Sequence, residues 1–173
     1  MIKKKAFIAI GIFWLILIGG FIGFKEFTLK TGDEVLLKIV PVDPRDLFRG
    51  DYVILSYEIS TIKEDGFSVS VSDFKVGDEI YVSLSVNAEK IGYLLDTQKE
   101  KPKKGTFIKG TVKDIHSNSL TVEYGIESYF VPEGKGREIE RNRKEMYSKV
   151  MIDKFGNAVL KALVLDGKEI VLN

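Results

Sequence analysis

The chain opens with a basic cluster that leads into a long apolar run. Lys3, Lys4 and Lys5 precede residues 6–24, which contain no charged side chain. As an α-helix, this run would measure about 28 Å, close to the ~30 Å hydrocarbon thickness of a bilayer. The pattern therefore predicts one transmembrane helix over residues 6–24, followed by a short linker over residues 25–31.

The charges that flank this run predict its orientation. Three lysines directly precede it, whereas the far side mixes lysines with acidic residues. By the positive-inside rule, we expect a single-pass protein of the cell membrane, with residues 1–5 in the cytoplasm and the C-terminal domain extracytoplasmic. A cleaved signal peptide is the alternative. The run exceeds the roughly 7–15 apolar residues of such peptides, and no small residues at cleavage spacing lie between Gly19 and Gly23.

After this run, apolar and polar residues alternate with the period of two that is typical of β-strands. The clearest example is residues 80–86, in which one face would hold four apolar side chains: Ile80, Val82, Leu84 and Val86. Strands are expected at residues 33–42, 52–59, 80–86, 91–95, 106–115, 120–124, 129–131, 149–153, 158–165 and 169–172. The spacing predicts a mainly β domain over residues 32–173, with an antiparallel sandwich or barrel-like fold.

Two segments depart from the alternation. Residues 97–105 hold four lysines around Pro102 and are expected to form a mobile, solvated connection. Residues 133–145 follow Pro132 and are rich in charged, helix-forming residues, which predicts one short helix beginning near Gly136. Both segments should lie at the surface, because they offer few apolar side chains to a core.

Composition narrows the function classes. The 173 residues include 26 basic and 25 acidic side chains, no cysteine and one histidine. The near-neutral balance argues against nucleic-acid binding, which usually requires a basic excess. Without cysteine there is no disulfide or thiolate metal site, and His116 in its Ser/Asn turn is a poor candidate for a zinc ligand or a catalytic base. We therefore expect no metal, no cofactor and no nucleic-acid partner.

The densest cluster of charged, turn and aromatic residues lies at residues 43–57. Gly50 permits a tight turn before the strand, and Asp51 can accept backbone N–H bonds there. Leu55 and Tyr57 fall on one strand face and should pack inward, with the Tyr57 hydroxyl bonded to a polar partner. The neighbouring side chains predict a cluster of arginine–carboxylate pairs: Asp43, Arg45, Asp46, Arg49 and Asp51. The cluster has two interpretations, a structural corner or a polar binding site.

These residues also carry a resemblance. Residues 50–57 resemble the signature of the GDYXXLXY family of bacterial membrane-anchored proteins, because Gly50, Asp51 and Tyr52 are followed by Leu55 and Tyr57. Residues 43–49 and 129–136 resemble two further landmarks of that family. The resemblance implies an anchored, exported β domain without a settled activity, in proteins that tend to accompany polytopic membrane proteins. The candidate binding or structural motif comprises Asp43, Arg45, Asp46, Arg49, Gly50, Asp51, Tyr52, Leu55, Tyr57, Tyr129, Pro132, Glu133, Gly134 and Gly136.

The sequence therefore favours an accessory or binding module for another envelope membrane protein, with no catalytic residue assigned. The alternative is an envelope hydrolase, signal-peptidase-like or other, that uses the 43–57 loop. A signal peptidase requires a nucleophilic serine just outside the membrane. Thr28 and Thr31 are the only serine or threonine residues between the apolar run and Ser56, and neither matches that pattern.

Overall fold

In the computed structural model, which describes residues 2–40, 52–63, 70–130, 146–165 and 167–170, a long N-terminal helix leads directly into a β-sheet. Helix α1 spans Ile2–Thr31. Its segment Phe7–Thr31 is long and apolar enough to cross a membrane by length and composition. Bulky side chains along the helix, among them Trp14 and Phe21, are exposed. A helix segment that is apolar all round and exposed on every side has the surface expected in lipid.

The last turns of α1 contact the sheet. Thr28 is fully buried, and its hydroxyl donates to the Phe24 carbonyl 3.2 Å away. The Gly32 amide donates to the Thr28 carbonyl at 2.9 Å, and the first strand begins at the next residue. A Cβ on Gly32 would lie 2.7 Å from the Thr28 oxygen and 2.9 Å from the Ile152 oxygen, so only glycine fits this junction. Residues 25–31, expected as a linker, are the last two turns of the helix.

The described residues beyond α1 contain twelve strands, in good agreement with the periodicity. The strands are β1 (Asp33–Val40), β2 (Tyr52–Ile54), β3 (Ser56–Tyr57), β4 (Thr61–Lys63), β5 (Glu79–Val86), β6 (Ile91–Gln98), β7 (Thr106–His116), β8 (Ser119–Glu123), β9 (Ser128–Phe130), β10 (Met146–Ile152), β11 (Ala158–Leu165) and β12 (Lys168–Ile170). Two short 3-10 turns, Glu58–Ser60 and Val71–Asp73, complete the described elements.

Most strands belong to one mixed sheet in the order β12-β11-β10-β1-β6-β5-β7-β8-β4, with β3 paired to β1. The prediction of a mainly β domain with a long apolar N-terminal helix is confirmed. Strands β5 and β6 pair antiparallel, as do β7 and β8. The pairing is not wholly antiparallel, however, because β1 and β6 run parallel, with Leu36 opposite Ile91. The short helix predicted near Gly136 lies outside the described residues.

The core lies along the inward positions of the alternating strands. Leu37, Ile80, Ile108 and Leu163 are fully buried, as the period of two requires. The sheet curves enough for the Lys109 amide on β7 to donate to the Gly156 carbonyl, in the β10–β11 turn, at 2.9 Å. Strands from both halves of the chain therefore share one core.

Candidate functional site

A two-stranded ribbon brings two of the sequence landmarks together. Strands β2 and β9 pair antiparallel and form a small sheet separate from the main one. Tyr52 lies opposite Phe130, and Val53 lies opposite Tyr129. The start of the Tyr52–Tyr57 segment is thus held next to residues that are almost eighty positions later in the chain.

Leu55 marks the point at which this segment changes partners. It lies between β2 and β3, and its side chain is buried in the core. Its amide donates to the Glu127 carbonyl at 2.7 Å, after which Tyr57 pairs with Ile39 of β1. The predicted continuous strand over residues 52–59 is therefore interrupted, because successive parts of it pair with two different sheets.

Tyr57 fixes the far end of the segment from inside the core. The side chain is 1% exposed, and its hydroxyl donates to the Ile126 carbonyl at 2.6 Å. The predicted inward packing with a polar partner for the hydroxyl is confirmed. Burial raises the pKa of this phenol well above its usual range, and the neighbouring Ser148 hydroxyl offsets part of that rise. The phenol is therefore a neutral hydrogen-bond donor at physiological pH.

The segment from Tyr124 to Glu127 receives both contacts, and we refer to it as the 124–127 clamp. Gly125 adopts a φ of +77°, which turns the chain after β8. The Tyr124 amide donates to the Glu127 carboxylate, and the buried Tyr124 hydroxyl donates to the Ile59 carbonyl at 2.6 Å. Burial and the nearby Glu127 charge both raise the pKa of the Tyr124 phenol. Residues 52–60 thus donate hydrogen bonds to the clamp, and the clamp donates one back to them.

A model of the GDYXXLXY protein family matches residues 14–163. The chain belongs to this family. No curated protein and no solved structure matches the chain. The match confirms the resemblance carried by the signature residues, and it extends over most of the chain.

The structure assigns an architectural role to the apolar end of the GDYXXLXY signature. Leu55 and Tyr57 are buried, and both are bonded to the clamp through their backbone or hydroxyl groups. Tyr52 and Tyr129 lie in the paired strands of the ribbon. The remaining motif residues lie outside the described part of the chain: Asp43, Arg45, Asp46, Arg49, Gly50, Asp51, Pro132, Glu133, Gly134 and Gly136. The binding role of the cluster therefore stays a prediction.

The clamp residues were not anticipated from the sequence. Ile126 and Glu127 accept the two defining hydrogen bonds through backbone carbonyls, which every residue type possesses. The one local signal was Gly125, a turn residue directly after an alternating strand.

A cavity of about 420 Å³ lies where α1 meets the sheet. Lys25, Lys109, Glu123 and Asn157 are among the residues that line it. Lys109 is paired with Glu79 at 2.8 Å, which lowers the pKa of that carboxyl and holds the lysine charged. Within the described ranges, no three His, Asp or Glu side chains are placed to share a metal ion. The cavity is a polar recess at the base of the helix.

Proposed function

We propose that this protein is a single-pass, membrane-anchored module whose extracytoplasmic β domain binds a polytopic membrane protein of the envelope. In this proposal α1 crosses the cell membrane with its N-terminus in the cytoplasm. The exposed apolar surface of α1 and the three lysines before it support this arrangement. The observation that carries the binding role is an exposed apolar stripe on a central strand.

The outer apolar stripe consists of Ile91, Tyr93 and Leu95 on β6. These residues alternate with buried Gly92 and with Leu94, which packs on the core, so they face outward from the sheet. Tyr93 is 46% exposed and Leu95 is 62% exposed. Strand β6 lies between β1 and β5. It pairs with β5 over residues 92–98 but with β1 only at Ile91 and Gly92, so the outer face around Tyr93 and Leu95 is continuous with that of β5.

The surroundings of the stripe fit a protein partner. Tyr147 of β10 lies opposite Lys38 of β1. The Lys38 ammonium pairs with Glu58 at 3.1 Å, and the Tyr147 and Tyr93 phenols make smaller contributions to its raised pKa. Two tyrosines, one leucine and a lysine thus share the outer face of three neighbouring strands. Tyrosine is enriched in protein interfaces because one side chain supplies both apolar area and a hydrogen bond.

The proposal is tested by photo-crosslinking in native membranes. The intact protein would carry benzoylphenylalanine at position 95 or, as the matched control, at exposed Ser117 in the β7–β8 turn. We expect a crosslink to a polytopic membrane protein from position 95, its loss on Tyr93→Ser substitution, and none from position 117. Crosslinks from position 95 only to lipid or to a second copy of the chain would overturn the proposal.

A second variant tests the 43–57 loop. The Arg45→Ala, Arg49→Ala protein, shown separately to be folded, should lose the same crosslink if the loop is part of the interface. No described contact favours the hydrolase alternative, which requires side chains at residues 43–51 to converge on an open pocket. It remains a prediction from sequence alone.

A further inference from the structure

The β10–β11 turn presents a phenylalanine to solvent through a rigid set of hydrogen bonds. The Asp153 carboxylate accepts from the Phe155 amide at 2.8 Å and from the Asn157 amide and side chain, each at 2.9 Å. Gly156 adopts a φ of +85° and donates to the Asp153 carbonyl. The Phe155 ring is nevertheless 47% exposed. A turn this well organised holds the aromatic ring outward in a fixed position.

Two lysines lie over this ring. The Lys101 ammonium is 4.6 Å from the ring centroid, and the Lys154 ammonium is 5.2 Å from it. Lys101 comes from the 97–105 connection, which was expected to be wholly solvated. Pro102 is instead buried, and Lys101 also approaches the Phe107 ring at 5.9 Å. The connection is therefore attached to the turn, and we call Lys101, Lys154 and Phe155 the lysine–phenylalanine patch.

The charge of the patch is not neutralised locally. In the described part of the chain, neither Lys101 nor Lys154 has a carboxylate within ion-pair distance. Lys103 and Lys104 in the same connection are exposed, and Glu100 is its one acidic residue. Asp153 is occupied by the backbone of the turn. The surface thus offers several ammonium groups around one exposed aromatic ring.

Chain connectivity places this surface near the end of α1. The cavity at the base of the helix is lined both by Lys25 and by Asn157, which belongs to the same turn as Phe155. Lys25 directly follows the apolar run over residues 6–24. The headgroup layer is about 5–7 Å thick on each side of the hydrocarbon, so a side chain at the level of Lys25 lies within it. No flexible linker separates α1 from the sheet.

We propose that the lysine–phenylalanine patch is a second membrane contact, which binds the anionic lipid headgroups around the outer end of α1. This inference rests on the membrane anchoring proposed above. Lysine and aromatic side chains together are the usual residues of the membrane interface, where the ring enters the headgroup layer and the ammonium groups pair with phosphate. The patch thereby holds the domain in one orientation on the bilayer. An acidic protein is the competing occupant, and the test separates the two.

The experiment uses the intact protein in nanodiscs and reads tryptophan fluorescence. Trp14 is the one tryptophan in the chain, so the native protein reports on the anchor, through quenching by spin labels deep in the acyl chains. The Trp14→Phe, Phe155→Trp protein reports on the patch, through quenching by headgroup spin labels. The control is Trp14→Phe, Ser117→Trp, because Ser117 lies about 26 Å along the β7–β8 hairpin from Lys109. Circular dichroism verifies that each variant is folded.

We expect headgroup quenching at position 155 that is strong when phosphatidylglycerol makes up roughly a third of the lipid and weak in phosphatidylcholine alone. Adding Lys101→Gln or Lys154→Gln should reduce the ratio of quenched to unquenched protein by about fivefold for each lysine. Position 117 should show little quenching with either lipid.

Three results would overturn the inference. Quenching of Trp14 without quenching at position 155 would leave the anchor in place and remove the patch. Equal quenching in both lipids would remove the recognition of anionic headgroups. The third result has two parts: no headgroup quenching at position 155 in either lipid, and a less solvent-exposed tryptophan at that position once an acidic envelope protein is added. It would assign the patch to that protein. Failure of Trp14 to be quenched would instead overturn the anchoring itself.

Discussion

At the scale of single residues, the hydrogen bond that a buried phenol can donate explains the tyrosines at positions 57 and 124. Each hydroxyl donates to a backbone carbonyl 2.6 Å away, and the two acceptors, Ile126 and Ile59, belong to segments that face each other. Phenylalanine would fill the same volume but leave each carbonyl without its donor. These tyrosines therefore act as internal connections between the GDYXXLXY signature and the clamp, and burial removes them from acid–base chemistry.

Tyr57→Phe should lower the free energy of unfolding by about 1–3 kcal/mol, because the buried Ile126 carbonyl loses its hydrogen bond. Ser148→Ala is the matched control at the same site. Its hydroxyl lies beside the Tyr57 phenol but makes no hydrogen bond of normal geometry with the described residues, so its removal should cost less than about 1 kcal/mol. Denaturant unfolding of both variants checks the difference. Equal effects would mean that the Tyr57 hydroxyl bond contributes little.

At the scale of elements, one lysine on β10 contacts the neighbouring strand β1 and, across β11, the edge strand β12. Lys149 on β10 pairs with Glu34 on β1 at 3.7 Å and with Glu169 on β12. Its side chain is 18% exposed, and the pairing with Glu169 is the main cause of its raised pKa. Because β12 is an edge strand with three paired residues among those described, this contact adds to its pairing with β11 and to the packing of Ile170 on the core.

Lys149→Gln should loosen β12, with a loss of stability of about 1 kcal/mol and faster amide hydrogen exchange at residues 168–170. Lys113→Gln is the control, since its pair with Glu123 joins two strands that also share a long hairpin and is well exposed. That change should leave the unfolding midpoint and the exchange of β12 unaltered. Hydrogen exchange with mass spectrometry measures both. Unchanged exchange at β12 in the Lys149 variant would contradict the role assigned to this contact.

The strands were predictable to the extent that local alternation specifies them. Residues 80–84 and 108–112 bury every second residue, so their period identified these strands without any knowledge of partners, although Val86 at the end of the first strand is exposed. Partner choice was not predictable, because the parallel β1–β6 pair and the β2–β9 ribbon join residues far apart in sequence. The interruption at Leu55 has the same origin, since it depends on a carbonyl at Glu127. The motif residues 43–51 were identified only from their side-chain types, and they lie outside the described ranges.

At the scale of the whole molecule, the ionisable groups whose pKa is raised by folding should make the protein less stable at high pH. Burial raises the pKa of the Tyr57 and Tyr124 phenols above their ordinary value of 10.0. Pairing with carboxylates raises the pKa of Lys109 and Lys149 above 10.5. In each case the folded protein holds a proton that the unfolded chain releases more easily. Stability from these groups is therefore complete below pH 10 and is lost as the pH rises beyond it.

The unfolding midpoint of the intact protein in detergent should accordingly fall as the pH increases above about 10. In Tyr57→Phe, which lacks one of the two phenols, the midpoint should fall less steeply over the same range. Phenolate absorbance followed together with far-ultraviolet circular dichroism tests this. Ionisation of all tyrosines well before loss of the β signal would contradict the assigned burial.

The junction of α1 and β1 is short enough that the helix and the strand should rotate as one rigid unit. Gly32 is the one residue between the helix and the strand, and Thr28 is packed into the sheet, so the two elements turn together. Transmembrane helices tilt by about 20° on average. Over the ~26 Å length of an eight-residue strand, such a rotation displaces the far end by about 9 Å. In the membrane arrangement proposed above, Val40, where the strand leads toward residues 43–51, would therefore move as the bilayer thickness changes the tilt of α1. The distance between the bilayer and the outer surface of the domain would then depend on that tilt.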